Sequence, residues 1–154
     1  VLDDAMGAYL LSIIYNHGEA APRLCDHDPS ALHFTRHLKR IFPNSKFILM
    51  LRDGRATMHS IISNKMTFQL MNATTPYRDA MKEWNRLISN MYSECMAVGA
   101  DVCMPVHYEQ LVLHPKLQIE AILKFLDLPW NENVLHHEKT IGLPGGVVIS
   151  RQKL

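Results

Sequence analysis

The fold of this chain is decided by the stretch Lys46-Phe47-Ile48-Leu49-Met50-Leu51-Arg52-Asp53-Gly54-Arg55. Its continuous apolar run is typical of a strand buried on both faces of a parallel sheet. Ligands of such sheets bind where the strands end, and Arg52 stands at that point. Gly54 permits a tight turn there, and Ser60 follows Arg52 by about two helical turns. The spacing predicts an anion site with a phosphate as its ligand.

From spacing alone a second interpretation stays open. Arg52 could instead pair with Asp53 or with a helix end, and Ser60 could be an ordinary residue of a helix surface.

Helical and strand patterns alternate along the rest of the chain, with no repeat and no long linker. Apolar spacing and turn residues predict helices at 2–16, from Asp28-Pro29 to Phe42, from the end of the central strand to Lys65, at 76–98 and at 115–127. Strands are predicted at Leu24-Cys25, Lys46–Leu51 and Val102–His107, with a loop at 67–75. This alternation is typical of an α/β protein with a parallel sheet flanked by helices.

The longest helical pattern, residues 76–98, carries one apolar stripe at the spacing of a buried helix face. The stripe consists of Tyr77, Ala80, Met81, Trp84, Leu87, Ile88, Met91 and Cys95. We interpret Trp84 and the methionines as core. In the helix at 115–127 the predicted buried face is Ile119, Ile122, Leu123 and Leu126.

Composition excludes several functional classes. The chain has 154 residues, 16 basic and 15 acidic, for a net charge of +1, so no general field favours nucleic acid. No segment reaches the roughly 18 apolar residues that a membrane span needs. The nine histidines raise a metal site as an alternative, but no H-E-x-x-H or C-x-x-C pattern accompanies them, and His136 and His137 point different ways on a helix. We therefore predict no metal.

Three cysteines allow two interpretations. Cys95 ends a predicted helix and Cys103 begins a predicted strand, and the turn at Gly99 could bring their sulfurs together. Cys25 is then unpaired. The alternative is three reduced, buried thiols in a cytosolic protein.

The sequence resembles the tyrosylprotein sulfotransferases, and the likeness covers nearly the whole chain. The segments that carry it are Leu24–Pro29, Leu49–Ala56, His59-Ser60, Lys65, Tyr77-Arg78-Asp79, Trp84-Asn85-Arg86, His107–Pro115, Leu135–Glu138 and Gly145-Gly146-Val147. The resemblance implies a P-loop-like parallel sheet flanked by helices, present here in incomplete form. Since the chain begins at Val1 without an initiator methionine, we expect residues 1–154 to be part of a sulfotransferase domain. The N-terminal phosphosulfate-binding loop and the C-terminal part are expected outside it.

The implied reaction moves a sulfuryl group from 3′-phosphoadenosine 5′-phosphosulfate to tyrosine hydroxyls of secreted or membrane proteins. By match, Arg52 and Ser60 bind the 3′-phosphate and Tyr108 contacts the nucleotide. His27 stands where the family has a lysine that stabilises the transferring group, and Asn64 stands where it has a further arginine for the 3′-phosphate. The catalytic glutamate of the family is expected upstream of this chain, so the fragment alone should be inactive.

The resemblance also implies a cellular compartment, an oligomeric state and a class of acceptor. It places the protein in the Golgi lumen, as part of a single-pass type II membrane protein anchored outside this chain, acting as a homodimer on acidic, tyrosine-containing proteins. It pairs Cys95 with Cys103, and Cys25 with an upstream cysteine. Two alternatives remain: a carbohydrate sulfotransferase, and a non-catalytic nucleotide-binding module, which the exchanges at His27 and Asn64 favour.

Overall fold

The computed structural model describes residues 2–16, 21, 23–28, 30–63 and 76–141. Their regular elements are α1 (Leu2–Asn16), α2 (Thr35–Ile41), β1 (Phe47–Leu51), α3 (Gly54–Ser63), α4 (Tyr77–Val98), β2 (Cys103–His107), α5 (Tyr108–Leu113) and α6 (Pro115–Phe125). Short 3₁₀ helices span Ala31–Phe34, Glu132–Leu135 and His137–Thr140. Within these ranges no helix is both long and apolar enough to cross a bilayer.

The chain divides into two compact units, Val1–Pro105 and Val106–Leu154. The division falls inside β2, which pairs in parallel with β1. The two strands are joined through α3 and α4, so the predicted α/β alternation is confirmed for the central part of the chain. Strand β1 begins where the Phe47 N–H donates to the carbonyl of Val102 at 2.8 Å.

The core of the first unit forms where α4 packs against α2, α3 and β1. Its buried members come from β1, α3, α4 and β2: Leu49, Met58, Ile61, Ala80, Leu87, Met91, Cys95 and Cys103. The predicted α4 stripe supplies four of these residues, and Met81, Trp84 and Ile88 pack against them. Tyr77 departs from the stripe, since it is 47% exposed.

Helix α1 has the predicted bounds, but it buries little. Gly7 is buried against α2, whereas Leu2, Tyr9 and Ile13 are exposed.

The strand predicted at Leu24-Cys25 is wrong. Both residues are exposed and have no regular structure, because the sheet of the described residues consists of β1 and β2 and offers these two residues no ladder partner. Cys25 is a free, exposed thiol.

The helix predicted from Asp28 to Phe42 forms in two pieces. The Asp28 carboxylate accepts hydrogen bonds from the Ser30 N–H at 2.8 Å and from the Ser30 hydroxyl at 2.7 Å. These bonds lower the pKa of Asp28. The chain then makes a 3₁₀ turn before α2 begins at Thr35, whose hydroxyl donates to the Leu32 carbonyl at 2.8 Å.

A disulfide joins Cys95 to Cys103, with a Cα–Cα distance of 5.3 Å. Both cysteines are completely buried. Gly99 ends α4 with a φ of 91°, a value that side chains disfavour, and its carbonyl accepts the Cys103 N–H at 3.0 Å. This turn returns the chain so that the two sulfurs meet, and the bridge is the pairing that the resemblance implies.

In the second unit, a short helix occupies the segment between the predicted strand at Val102–His107 and the predicted helix at 115–127. Residues 108–113 form α5, directly after β2, and α6 follows from Pro115 at its first turn. Helix α6 ends at Phe125 rather than near Asp127, because Asp127 has a φ of 54° and the Leu128 N–H bonds back to the Leu123 carbonyl at 2.9 Å. The ammonium of Lys116 lies 5.9 Å from the centroid of the Trp130 ring.

Candidate functional site

The connection between β1 and α3 carries the principal candidate residue. Strand β1 ends at Leu51, Arg52 follows with an exposed side chain, and α3 begins at Gly54. The central residue of the strand, Leu49, is 1% exposed and anchors β1 in the core. Arg52 is thus placed at the carboxyl end of a buried strand, as the sequence predicted.

Asp53 caps α3. Its carbonyl accepts the Thr57 N–H at 2.9 Å, and its carboxylate accepts the backbone N–H of Arg55 at 2.8 Å. The Arg55 guanidinium donates to the same carboxylate, through Nε at 3.1 Å and Nη2 at 2.6 Å. Chiefly because of the Arg55 side chain, the pKa of Asp53 lies well below its usual range. Sequence reasoning missed this cap, which an acidic residue just before a helix pattern could have signalled.

Ser60 lies in α3, six residues after Gly54, or about 9 Å along the helix axis. Its side chain is half-buried, and its neighbours Met58 and Ile61 are buried in the core. The core therefore sets the rotation of α3 about its axis. Arg52 and Ser60 belong to the same unit and to consecutive segments of it.

Two residues of α4 contact the first turn of α3, and sequence reasoning gave neither a role beyond core packing. The six-membered ring of Trp84 lies against Gly54, such that a Cβ on residue 54 would be 2.7 Å from Cε3. The Tyr77 hydroxyl donates to the Arg55 carbonyl at 3.2 Å. The exposure of Tyr77 on an otherwise apolar stripe follows from this polar contact.

The resemblance also implies site roles for His27, Tyr108 and Asn64. His27 is exposed in the irregular stretch 23–28. Tyr108 is the first residue of α5, in the second unit, and is 38% exposed. Asn64 lies outside the described residues.

The donor set of the first unit suits a phosphate. A guanidinium supplies planar, charged donors, and a hydroxyl adds a neutral one. Among the described residues no three histidine, cysteine or acidic side chains are grouped as metal ligands would be.

Comparison with known proteins assigns the chain to a family. The model of the sulfotransferase family matches residues 1–132. The chain belongs to the sulfotransferase family. Its expected sulfotransferase fold is likewise found in a solved structure, the sulfotransferase domain from the curacin biosynthetic pathway, with a TM-score of 0.62 at 22% identity over 86% of this chain and 46% of that one.

Curated relatives are more similar in sequence. Protein-tyrosine sulfotransferase 1 of Homo sapiens is 56% identical over 98% of this chain, and the protein of the same name from Danio rerio is 54% identical over the same share. The protein-tyrosine sulfotransferase of Drosophila melanogaster is 50% identical. The chain spans 40%, 42% and 30% of these three proteins, respectively.

Proposed function

We propose that this chain is part of an enzyme that transfers the sulfuryl group of 3′-phosphoadenosine 5′-phosphosulfate to tyrosine hydroxyls of proteins. Support comes from relatives named protein-tyrosine sulfotransferase that match 98% of the chain. The structural observation that carries the proposal is Arg52 at the carboxyl end of β1, followed directly by the helix that holds Ser60.

In this reaction the phenol oxygen attacks sulfur, and the bond between sulfur and the bridging phosphate oxygen breaks. The bonding electron pair leaves with the phosphate as adenosine 3′,5′-bisphosphate, and the phenol proton passes to a base. Because an ordinary tyrosine has a pKa of about 10, that base is required at neutral pH. We assign the base to a glutamate outside this chain, as the family resemblance implies.

The residues of this chain hold the donor. Arg52 and Ser60 bind the 3′-phosphate, Asn64 adds a neutral amide donor to it, and Tyr108 contacts the nucleotide. His27 donates a hydrogen bond to the transferring group. A fixed 3′-phosphate orients the donor for in-line attack, which is the main contribution of positioning to such transfers.

The setting that we propose is the Golgi lumen. A buried disulfide between Cys95 and Cys103 supports an oxidising compartment. We propose an anchor outside this chain, a homodimer as the functional form, and acidic, tyrosine-containing proteins as acceptors.

The test is nucleotide binding by the full-length protein. Replacing Arg52 with Ala removes charge-assisted hydrogen bonds and should weaken binding of adenosine 3′,5′-bisphosphate by about 10- to 100-fold in calorimetry. Arg52→Lys keeps the charge without the planar donors and should give an intermediate loss.

The matched control is Arg86→Ala, since Arg86 is an exposed arginine paired with Glu83 within α4. Its affinity should equal that of the unmodified protein. Unchanged affinity in Arg52→Ala would refute the proposed site.

A second candidate function is a nucleotide-binding module without transfer activity. The exchanges at His27 and Asn64, which stand where the resemblance has a lysine and an arginine, favour it. Incubation of the full-length protein with radiolabelled donor and an acidic tyrosine peptide separates the two candidates. Nucleotide binding without labelled peptide would establish the module, and label on a glycan acceptor instead would indicate a carbohydrate sulfotransferase.

A further inference from the structure

The anion site that we propose depends on the short connection from β1 to α3. The contacts that hold this connection therefore influence where Arg52 lies. Arg52 is separated from α3 by Asp53 alone. Core packing at Leu49 fixes the strand side of the connection, and Met58 fixes α3 one turn further on. Between these two anchors, α4 adds two contacts to the first turn of α3, beside the cap that Asp53 provides.

The first of these contacts is steric. Gly54 lies so close to Trp84 that any Cβ would meet Cε3, Cζ3 and Cδ2 of the indole at 2.7 to 2.9 Å. Real Cβ atoms do not approach carbon that closely, so the ring sets the height of the Gly54 backbone over α4. The contact depends on the six-membered ring of the indole, to which all three atoms belong.

The second contact is polar. The Tyr77 hydroxyl donates to the carbonyl of Arg55 at 3.2 Å. Tyr77 and Trp84 are seven residues apart, or about two helical turns, so they project from the same face of α4. One rigid helix face therefore holds two successive residues of the turn that follows Arg52.

We propose that Tyr77 and Trp84 are positioning residues that set the backbone after Arg52 and thereby the enzyme's selectivity for a ribose 3′-phosphate. This inference rests on the proposed function. Neither side chain needs to touch the nucleotide. A displacement of about 1 Å in the backbone would move the guanidinium out of bidentate reach of the phosphate.

The test compares two nucleotides in the full-length protein: adenosine 3′,5′-bisphosphate and adenosine 5′-monophosphate, which lacks the 3′-phosphate. Tyr77→Phe removes one hydrogen bond and should weaken binding of the bisphosphate by about 3- to 10-fold. Binding of the monophosphate should stay within about twofold, so the ratio of the two affinities falls. Tyr92→Phe is the matched control, because Tyr92 is an exposed tyrosine of the same helix.

The steric contact has its own test. Trp84→Phe withdraws the ring from Gly54 and should lower the same ratio. Gly54→Ala alone should also lower the ratio of the two affinities, because the added methyl clashes with the Trp84 ring. The double variant Gly54→Ala/Trp84→Phe should recover selectivity, since the methyl fills the space that the larger ring occupied. If Trp84→Phe does not fold, Tyr77→Phe alone tests the positioning role.

The outcomes are distinguishable. An unmodified protein that does not prefer the bisphosphate would overturn the proposed function itself. A protein that does prefer it, but whose ratio is unmoved in Tyr77→Phe and in the Gly54 and Trp84 variants, would overturn the positioning role. Equal weakening of both nucleotides would also overturn it, because that is what a general structural role predicts.

Discussion

Arg36 of α2 binds Glu94 of α4 through three donors. Its backbone N–H lies 3.3 Å from Oε2, its Nε lies 2.9 Å from Oε1, and its Nη2 also contacts Oε1. The Glu94 side chain is only 12% exposed, whereas that of Arg36 is 67% exposed. Next to this pair, His33 Nδ1 lies 2.7 Å from Oδ1 of Asn90. The two helices are therefore joined by polar contacts at the edge of the core.

Glu94 should make stability depend on pH. The hydrogen bonds from Arg36 lower its pKa in the folded state below the ordinary value of 4.5. A lowered folded pKa means that the stabilisation is complete above the unfolded pKa and is lost as the pH falls through the folded one. Urea unfolding should therefore show Glu94→Gln less stable than the unmodified protein at pH 7, with the difference shrinking below about pH 4.5. Glu83→Gln breaks a pair within α4 in which the arginine side chain is 63% exposed, so it should change stability less at both pH values.

The Cys95–Cys103 bridge should contribute measurably to stability. It closes a loop with a sequence separation of 8, for which chain-entropy reasoning gives about 2.5 kcal/mol. The double variant Cys95→Ser/Cys103→Ser should lose at least that much in denaturant unfolding, since two polar hydroxyls also replace buried sulfurs. Unmodified protein with a reductant should approach the same value, and no response to reductant would show that the bridge does not form in solution.

Gly7 should not tolerate a side chain. A Cβ there would lie 2.9 Å from Cγ2 of Ile41, a branched methyl that cannot swing away. Although alanine favours helices, Gly7→Ala should lower the free energy of unfolding by about 1 kcal/mol. Ile41→Leu removes the methyl, so the double variant should be more stable than Gly7→Ala alone. An increase in stability for Gly7→Ala by itself would contradict the close packing of α1 on α2.

Replacing Asp127 with glycine should make the protein more stable. It adopts a φ of 54° at the end of α6, where the Asp127 N–H bonds to the Lys124 carbonyl at 3.2 Å and the Leu128 N–H to the Leu123 carbonyl. Glycine has no strain there, so Asp127→Gly should raise stability by about 0.5 kcal/mol. A β-branched residue is penalised at positive φ, so Asp127→Val should lower stability by about 1 kcal/mol. Equal stability of the three proteins in thermal unfolding would contradict this helix end.

The local hydrophobic pattern was sufficient to predict those helices and strands whose apolar side chains repeat with a single period. The apolar run of β1, the stripe of α4 and the helix from Pro115 were all predicted within one or two residues, because burial on a fixed face leaves a periodic trace. Placement of Arg52 after a buried strand followed from the same pattern. Without such a trace the prediction failed: α5, with six residues, was missed, and Leu24-Cys25 was predicted as a strand although the described part of the sheet offers it no partner.

By itself, the sequence determined the central order of β1, α3, α4 and β2, the position of the candidate arginine and the resemblance to a family. Tertiary structure alone decided which side chains of α4 contact the turn after that arginine: the indole of Trp84 over Gly54 and the Tyr77 hydroxyl on the Arg55 carbonyl. The physical reason is distance along the chain. Periodicity reports which side of its own helix a residue faces, whereas contacts between α3 and α4 depend on how two helices approach, which no local pattern records.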